Sequence, residues 1–253
     1  MPYLWANGWN SIMSPTRINI LAELQSDILR MQGFKPSGTL TSNGGLRFMR
    51  EAFPNGSFPT GCIHEFLAAQ IEDSAATSGF MSGILSSLMN RHGIVLWISA
   101  KRKIFPPALK NFGLDPDRFI FIDLQKEKDV MWAMEEALKC SALTAVIGET
   151  QYLDFTASRR LQLAVEDSKV TGFIIRTNTR KINATACVSR WVISSLPSDP
   201  IETLPGIGFP SWKVDLIRMK NGKTGTWNIR WEDGEFVQSQ EQEETNVKQL
   251  KAG

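Results

Sequence analysis

Thr60-Gly61-Cys62-Ile63-His64-Glu65-Phe66-Leu67 is the stretch on which the fold turns. It follows a loop, Pro54 to Gly61, that carries two prolines and two glycines, and its run from Ile63 to Leu67 is short, apolar and bounded by turn residues. That pattern reads as a buried strand. Helical spacing follows from Thr77 to Asn90, then a second apolar strand from Ile94 to Ser99. The alternation continues with strands Phe119 to Ile122, Ala145 to Gly148 and Phe173 to Ile175, separated by helical stretches Pro106 to Phe112, Asp129 to Cys140 and Thr156 to Asp167. Strands apolar on both faces that alternate with helices predict an α/β fold with a mostly parallel sheet flanked by helices.

Toward the C-terminus the pattern changes. Val188 to Ile193, Trp212 to Met219 and Thr226 to Trp231 alternate apolar and polar residues, and Asn221-Gly222 is a hairpin signal. An antiparallel C-terminal hairpin is therefore expected to extend the sheet. Trp227, Ile229 and Trp231 share one face and are assigned to the core; Trp212 is grouped with them as an informative aromatic. From Gln238 onward the chain is polar and rich in Gln and Glu. Such a tail cannot offset its ordering entropy and is expected to be disordered.

Toward the N-terminus, a short helix is expected near Leu46 to Phe53. Before it, Leu21, Leu24, Ile28 and Met31 recur at three- and four-residue spacing and share one helical face, with Gly33 as a stop. This N-terminal amphipathic helix either packs on the domain's own core or docks on a partner. Residues 1–12, with Trp5 and Trp9, show no such period, and Met13-Ser14-Pro15-Thr16 reads as a natural beginning. The division expected is an N-terminal helical extension over 1–55, a core domain over 56–237 and a polar tail over 238–253.

Composition bounds the function. The 253 residues, 42% hydrophobic and 21% charged, fit one globular core with appendages. No apolar run reaches the roughly 18 residues that cross a bilayer, and the start lacks the pattern of a signal peptide, so a cytoplasmic protein with no membrane contact is expected. A formal net charge of +2 means that any nucleic-acid surface is local. Cys62, Cys140 and Cys187 lie far apart in apolar surroundings and read as buried, reduced thiols. His64 and His92 are the only histidines, too few for a zinc cluster or a Ser-His-Asp triad to be assembled.

Several segments carry a family likeness. Thr60-Gly61-Cys62-Ile63-His64-Glu65-Phe66 resembles the strand that opens the core of the recombinase RecA, where Gly-x-Ile-x-Glu-Ile precedes a phosphate-binding loop. Gly113-Leu114-Asp115-Pro116-Asp117-Arg118-Phe119 is similar to the segment before RecA's third strand. Trp212-Lys213-Val214-Asp215-Leu216-Ile217-Arg218 through Gly225 to Trp231 resembles RecA's final hairpin, and more closely the same part of the ImuA family. Leu24-Gln25-x-Asp27-Ile28-Leu29, Gln32-Gly33-Phe34, Ser158-Arg159-Arg160-Leu161-Gln162-Leu163 and Ser189-Arg190-Trp191 also look like that family, so the resemblance spans about residues 18 to 236.

The resemblance is informative where it fails. A phosphate loop needs glycines for close approach, amides at a helix N-terminus, a Lys and a Ser/Thr. The matching segment, Ala68 to Phe80, lacks the Gly-Lys-Ser/Thr end and places Glu72 and Asp73 where phosphate would lie. Gly222-Lys223-Thr224 spells that ending but joins two strands. Where RecA's second strand ends in a glutamate that activates water, this chain reads Ser99-Ala100-Lys101, and a cation cannot be that base. Glu149 ends the strand Ala145 to Glu149 at a magnesium-orienting place, and reads as a polar strand-end residue rather than a metal contact. No catalytic, cofactor or metal residue is assigned. RecA's two DNA loops correspond to the short Thr150 to Phe155 and Thr177 to Ala186. The basic residues near them, Arg176, Arg180, Lys181 and Arg190, are the candidate DNA contacts, with Lys101, Arg102 and Lys103 in another strand-end loop; their plainer reading is a solvated face.

What the resemblance implies is a non-catalytic RecA-like accessory protein of damage-induced, error-prone translesion synthesis. Its implied partners are ImuB, an inactive relative of the Y-family polymerases, an error-prone replicative-type polymerase, and RecA itself. Candidate partner contacts are Leu21, Leu24, Ile28 and Met31 on the helix and Lys220 and Lys223 at the hairpin tip. The alternatives are a protein-sequestering inhibitor resembling SulA and a RecA-class ATPase with a degenerate phosphate loop.

Overall fold

The computed structural model describes residues 45–89, 93–177, 182–198 and 208–239, together with helical Ile20, Glu23, Leu24 and Asp27. The nine strands are β1 (Ile63–Ala68), β2 (Val95–Ser99), β3 (Phe119–Asp123), β4 (Ala145–Thr150), β5 (Thr171–Thr177), β6 (Ser189–Leu196), β7 (Ser211–Met219), β8 (Gly225–Glu232) and β9 (Glu235–Gln238). They form one sheet in the order β3-β2-β4-β5-β1-β6-β7-β8-β9. Every pair from β3 through β6 is parallel, and β6 to β9 are antiparallel. The expected α/β class, the parallel sheet and the antiparallel C-terminal extension are all present.

Three α-helices cover the parallel part: α1 (Ile71–Met89), α2 (Glu127–Leu138) and α3 (Phe155–Ser168). On one face, Phe80, Met81, Ile84 and Leu85 of α1 meet Phe66, Trp97, Ile147 and Trp191 of the sheet. On the other, Val130, Met134 and Leu138 of α2 and Leu161 and Val165 of α3 meet Ile63, Ile98, Val146 and Ile174. Each fully buried large side chain of this kind contributes roughly 1.5–3 kcal/mol. Strands β1, β2 and β4 are buried along their whole length, which is why they read as unbroken apolar runs.

Helix α1 is buried or half-buried along most of its length, serines and threonine included, because it lies against two sets of aromatics. Gly79 and Gly83, one turn apart, give room there: a Cβ on Gly79 would stand 2.9 Å from the Trp212 ring, and one on Gly83 2.8 Å from the Trp231 ring and closer still to Phe236. The C-terminal strands thus reach back onto the first helix, and Trp212, Ile229, Trp231 and Phe236 are core residues with Trp227 packed against them.

Four expectations are corrected. Helix α1 begins at Ile71, not Thr77. Pro106–Phe112 is a 3-10 helix, with Pro at its first positions and left-handed Gly113 (φ 71°) as its end, and so is Leu46–Ala52. Strand β9 was not expected; Asp233 and Gly234, at φ 50° and 82°, turn the chain into it. Cys140 is exposed just beyond the end of α2, whereas Cys62 and Cys187 are buried as expected. No described helix is long and apolar enough to cross a membrane. Residues 1–12, most of the N-terminal helix, His92 and the tail from 240 lie outside the described residues.

Candidate functional site at the strand ends

The carboxyl end of β1 is where a phosphate would be held. Only Ala69 and Gln70 lie between β1 and α1. The Gln70 N–H donates to Asp73 Oδ2 at 3.2 Å, and the Ser74 N–H donates to the Gln70 carbonyl at 3.2 Å. The helix therefore starts at once and supplies its own anion from Asp73, with Glu72 beside it. Both carboxylates complement the positive end of the helix and stand where an anionic ligand would compete. A phosphate cradle needs several loop amides pointing inward, and two residues cannot provide them.

Beside it, β2 ends at Ser99 and leads through Ala100 to an exposed Lys101. On β4, buried Glu149 accepts a hydrogen bond from Trp97 Nε1 at 2.7 Å. Burial pushes its carboxyl above the usual range, while the Trp97 hydrogen bond and the charge of Lys103 pull it back. Glu127, at the start of α2, accepts from Thr150 Oγ1 at 2.8 Å and the Gln151 N–H at 2.9 Å. Arg102 pairs with Asp123 at 2.6 Å and lies over the Phe121 ring, 4.7 Å from its centroid. These carboxylates brace strand ends, and no group of three or more His, Cys, Asp or Glu among the described residues is arranged to hold a metal ion.

The largest departure from expectation lies under the β5–β6 connection. Glu65, fully buried on β1, accepts from Arg176 Nη1 at 2.8 Å, from Arg190 Nε at 2.7 Å and from Thr185 Oγ1 at 2.9 Å. Arg190 Nη2 also donates to the Asn183 carbonyl at 2.7 Å, and Arg218 Nη1 donates to the Thr185 carbonyl at 2.6 Å. Asn183 Nδ2 donates to the Leu153 carbonyl at 2.6 Å, and the Ala186 N–H to Ser158 Oγ at 2.9 Å. The connection is thereby fastened to β1, β6, β7 and α3.

This corrects the reading of Arg176 and Arg190 as DNA contacts. They are only 2% and 7% exposed, and their guanidinium groups face a carboxylate inside the protein. A buried Glu demands such partners, since an unpaired charge in the interior costs several kcal/mol. Sequence reading missed the network, although one signal was present: a Glu, next to His64, inside a strand whose other residues are apolar. Arg180 and Lys181 lie outside the described residues.

Of the residues assigned to partner contact, Leu24 is 53% exposed; Leu21, Ile28 and Met31 lie outside the described residues. Lys220 and Lys223 are exposed at the β7–β8 turn. Their turn sits at the amino end of β6, away from the β1–α1 junction: the Lys220 N–H donates to the Val188 carbonyl at 2.8 Å and the Lys223 N–H to the Ala52 carbonyl at 3.0 Å. His64 is fully buried. Its Nε2 hydrogen-bonds the Pro59 carbonyl at 2.9 Å and its Nδ1 meets Ser189 Oγ at 2.6 Å, so it is occupied inside the core.

No family model matches the chain. Among curated proteins it is 31% identical over 210 residues to the protein named ImuA in two strains of Caulobacter vibrioides. Each alignment covers 77% of this chain and 86% of the relative.

Proposed function

The chain belongs to the ImuA family, and from that premise we propose that it is a non-catalytic, RecA-like accessory protein of damage-induced, error-prone translesion synthesis in the cytoplasm. It acts beside a polymerase relative of the ImuB kind and an error-prone replicative-type polymerase, with RecA as a further partner. The observation that carries the non-catalytic reading is the junction of β1 and α1, where Ala69 and Gln70 alone separate strand from helix. Lys101 at the water-activating position and Glu149 bound to Trp97 support it.

Scaffolding is what the architecture then offers. The nine-stranded sheet holds the described part of its β5–β6 connection through buried hydrogen bonds, and the half-exposed Leu24 and the exposed Lys220 and Lys223 are the partner contacts carried over from the sequence. Any binding of nucleic acid is weak and salt-dependent, because the two best-placed arginines are internal.

The test has two arms. Deleting the gene lowers the frequency of damage-induced mutation, and restoring the chain recovers it. The purified protein shows no magnesium-dependent ATP hydrolysis above background and no nucleotide-dependent rise in melting temperature. Saturable turnover would return the chain to the ATPases, and normal induced mutation without it, together with arrested cell division on overexpression, would favour a sequestering inhibitor.

A further inference from the structure

At the carboxyl edge of the sheet, three large apolar side chains stand in solvent: Tyr152 is 66% exposed, Phe155 57% and Ile182 60%. They sit on fixed backbone. Leu153 between the two aromatics is fully buried, the Tyr152 N–H donates to Thr150 Oγ1 at 3.3 Å, and Asp154 caps α3 by accepting from the Ala157 N–H at 2.7 Å. The Asn183 bond to the Leu153 carbonyl brings Ile182 to the same place. Exposed aromatics clustered on a braced scaffold are characteristic of interface anchors.

Three exposed cations border these residues, interleaved with carboxylates, most of them less exposed. Arg159 lies one helical turn beyond Phe155, Lys126 adjoins the Glu127 that holds Gln151, and Lys103 acts on Glu149 in the neighbouring strand. All three cations are exposed. The carboxylates beside them are already engaged, Asp123 by Arg102, Glu127 by Thr150 and Gln151, and Asp154 by Ala157.

We infer that this edge docks a short acidic segment of a partner protein, its apolar side chains set among Tyr152, Phe155 and Ile182 and its carboxylates against Lys103, Lys126 and Arg159. The inference rests on the adaptor reading and places a contact at the opposite end of the sheet from the β7–β8 hairpin tip. A protein occupant is favoured over a nucleic acid for two reasons. The guanidinium groups of Arg176 and Arg190 are turned inward, away from any phosphate. The third anchor is aliphatic, suited to burial and not to base stacking.

The experiment uses the full chain and fluorescence anisotropy. The probe is a short labelled peptide in which Asp and Glu alternate with Leu and Phe; the controls are the same peptide with Lys for every acid, and a labelled oligothymidylate. The acidic peptide is expected to bind, more weakly as salt is raised. Tyr152→Ser with Phe155→Ser weakens it by at least about tenfold, and Ile182→Ser alone also weakens it. Lys103→Glu with Lys126→Glu weakens it about threefold and flattens the salt dependence. Acidic-peptide binding no stronger than that of the Lys control, or unchanged in both the aromatic and the Ile182 variants, overturns the proposal. So does tighter oligothymidylate binding that the aromatic pair abolishes. Normal induced mutation in a strain lacking the gene would sink the adaptor reading. Normal induced mutation with Tyr152→Ser and Phe155→Ser, where deletion does lower it, would sink this surface alone.

Discussion

Arg190 of β6 stands directly beside Glu65 of β1 in the sheet, and its Nε donates to the Glu65 carboxylate at 2.7 Å while Arg176 holds the other oxygen from β5. One carboxylate thus links three neighbouring strands and, through Thr185, the connection that crosses them. Removing it takes the one shared carboxylate away from two buried guanidinium groups. Glu65→Leu is expected to cost about 3–5 kcal/mol of unfolding free energy by urea denaturation, and Glu65→Gln less. Replacing Glu65, Arg176 and Arg190 together by apolar residues should recover much of that loss. A cost below about 1 kcal/mol for Glu65→Leu would show that the network does not hold the connection down.

His64 makes stability depend on pH. Burial lowers its pKa from 6.5 to about 4, against a smaller opposing effect of the Pro59 carbonyl. The unfolded chain takes up a proton below pH 6.5 while the folded one does not, so the contribution is full above that value. It is lost as pH falls from 6.5 to about 4, by about 3 kcal/mol in all. Imidazole titration by NMR and denaturation across this range provide the check, and His64→Phe should flatten the slope although it lowers stability at neutral pH. A native His64 titrating near its ordinary value would refute the assignment.

Glu149 behaves in the opposite sense. Its folded pKa lies above the ordinary 4.5, chiefly through burial, so the charged form is the disfavoured one and stability is lost as pH rises through that window. Glu149→Gln keeps an oxygen for Trp97 Nε1 and removes the charge. The melting temperature at pH 7 should rise measurably, with little change near pH 4. A fall at pH 7 would mean that the carboxylate is needed in its ionised form.

Gly83→Ala inverts an ordinary rule. In a helix interior Ala is better than Gly by about 1 kcal/mol. Here a new Cβ would press on Trp231 at 2.8 Å and on Phe236, so a loss of roughly 1–3 kcal/mol is expected. The loss should shrink in a Phe236→Ala background, the coupling expected of touching residues. Equal penalties in both backgrounds would show that the strands beyond β7 do not bear on α1.

The parallel strands were legible because burial on both faces leaves no polar positions in runs such as Val95 to Ile98, and Asn221-Gly222 marked its own turn. Strand β9 was not, since its four residues, Glu235-Phe236-Val237-Gln238, are too few to show a period and do not alternate, although Asp233-Gly234 signalled the turn before it. The start of α1 is hard to read because Glu72 to Ala76 hold no large apolar residue to mark a helical face, although they are compatible with helix. Arg176 and Arg190 read as surface charges because their partner is 111 and 125 residues away, and nothing local to either Arg reveals a buried Glu.

The brevity of the β1–α1 junction makes its present state hard to reverse. Substituting Gly, Lys and Thr among residues 69–74 would only redecorate the first turn of a helix whose start is already bonded within itself, the Gln70 N–H to Asp73 Oδ2 and the Ser74 N–H to the Gln70 carbonyl. Recovering a cradle would take an insertion that lengthens the backbone, pushing α1 along Trp212 and Phe236 or bulging outward beside Glu72. On the proposed non-catalytic reading, single-residue changes do not create a nucleotide site here, and the surfaces of the chain vary without one.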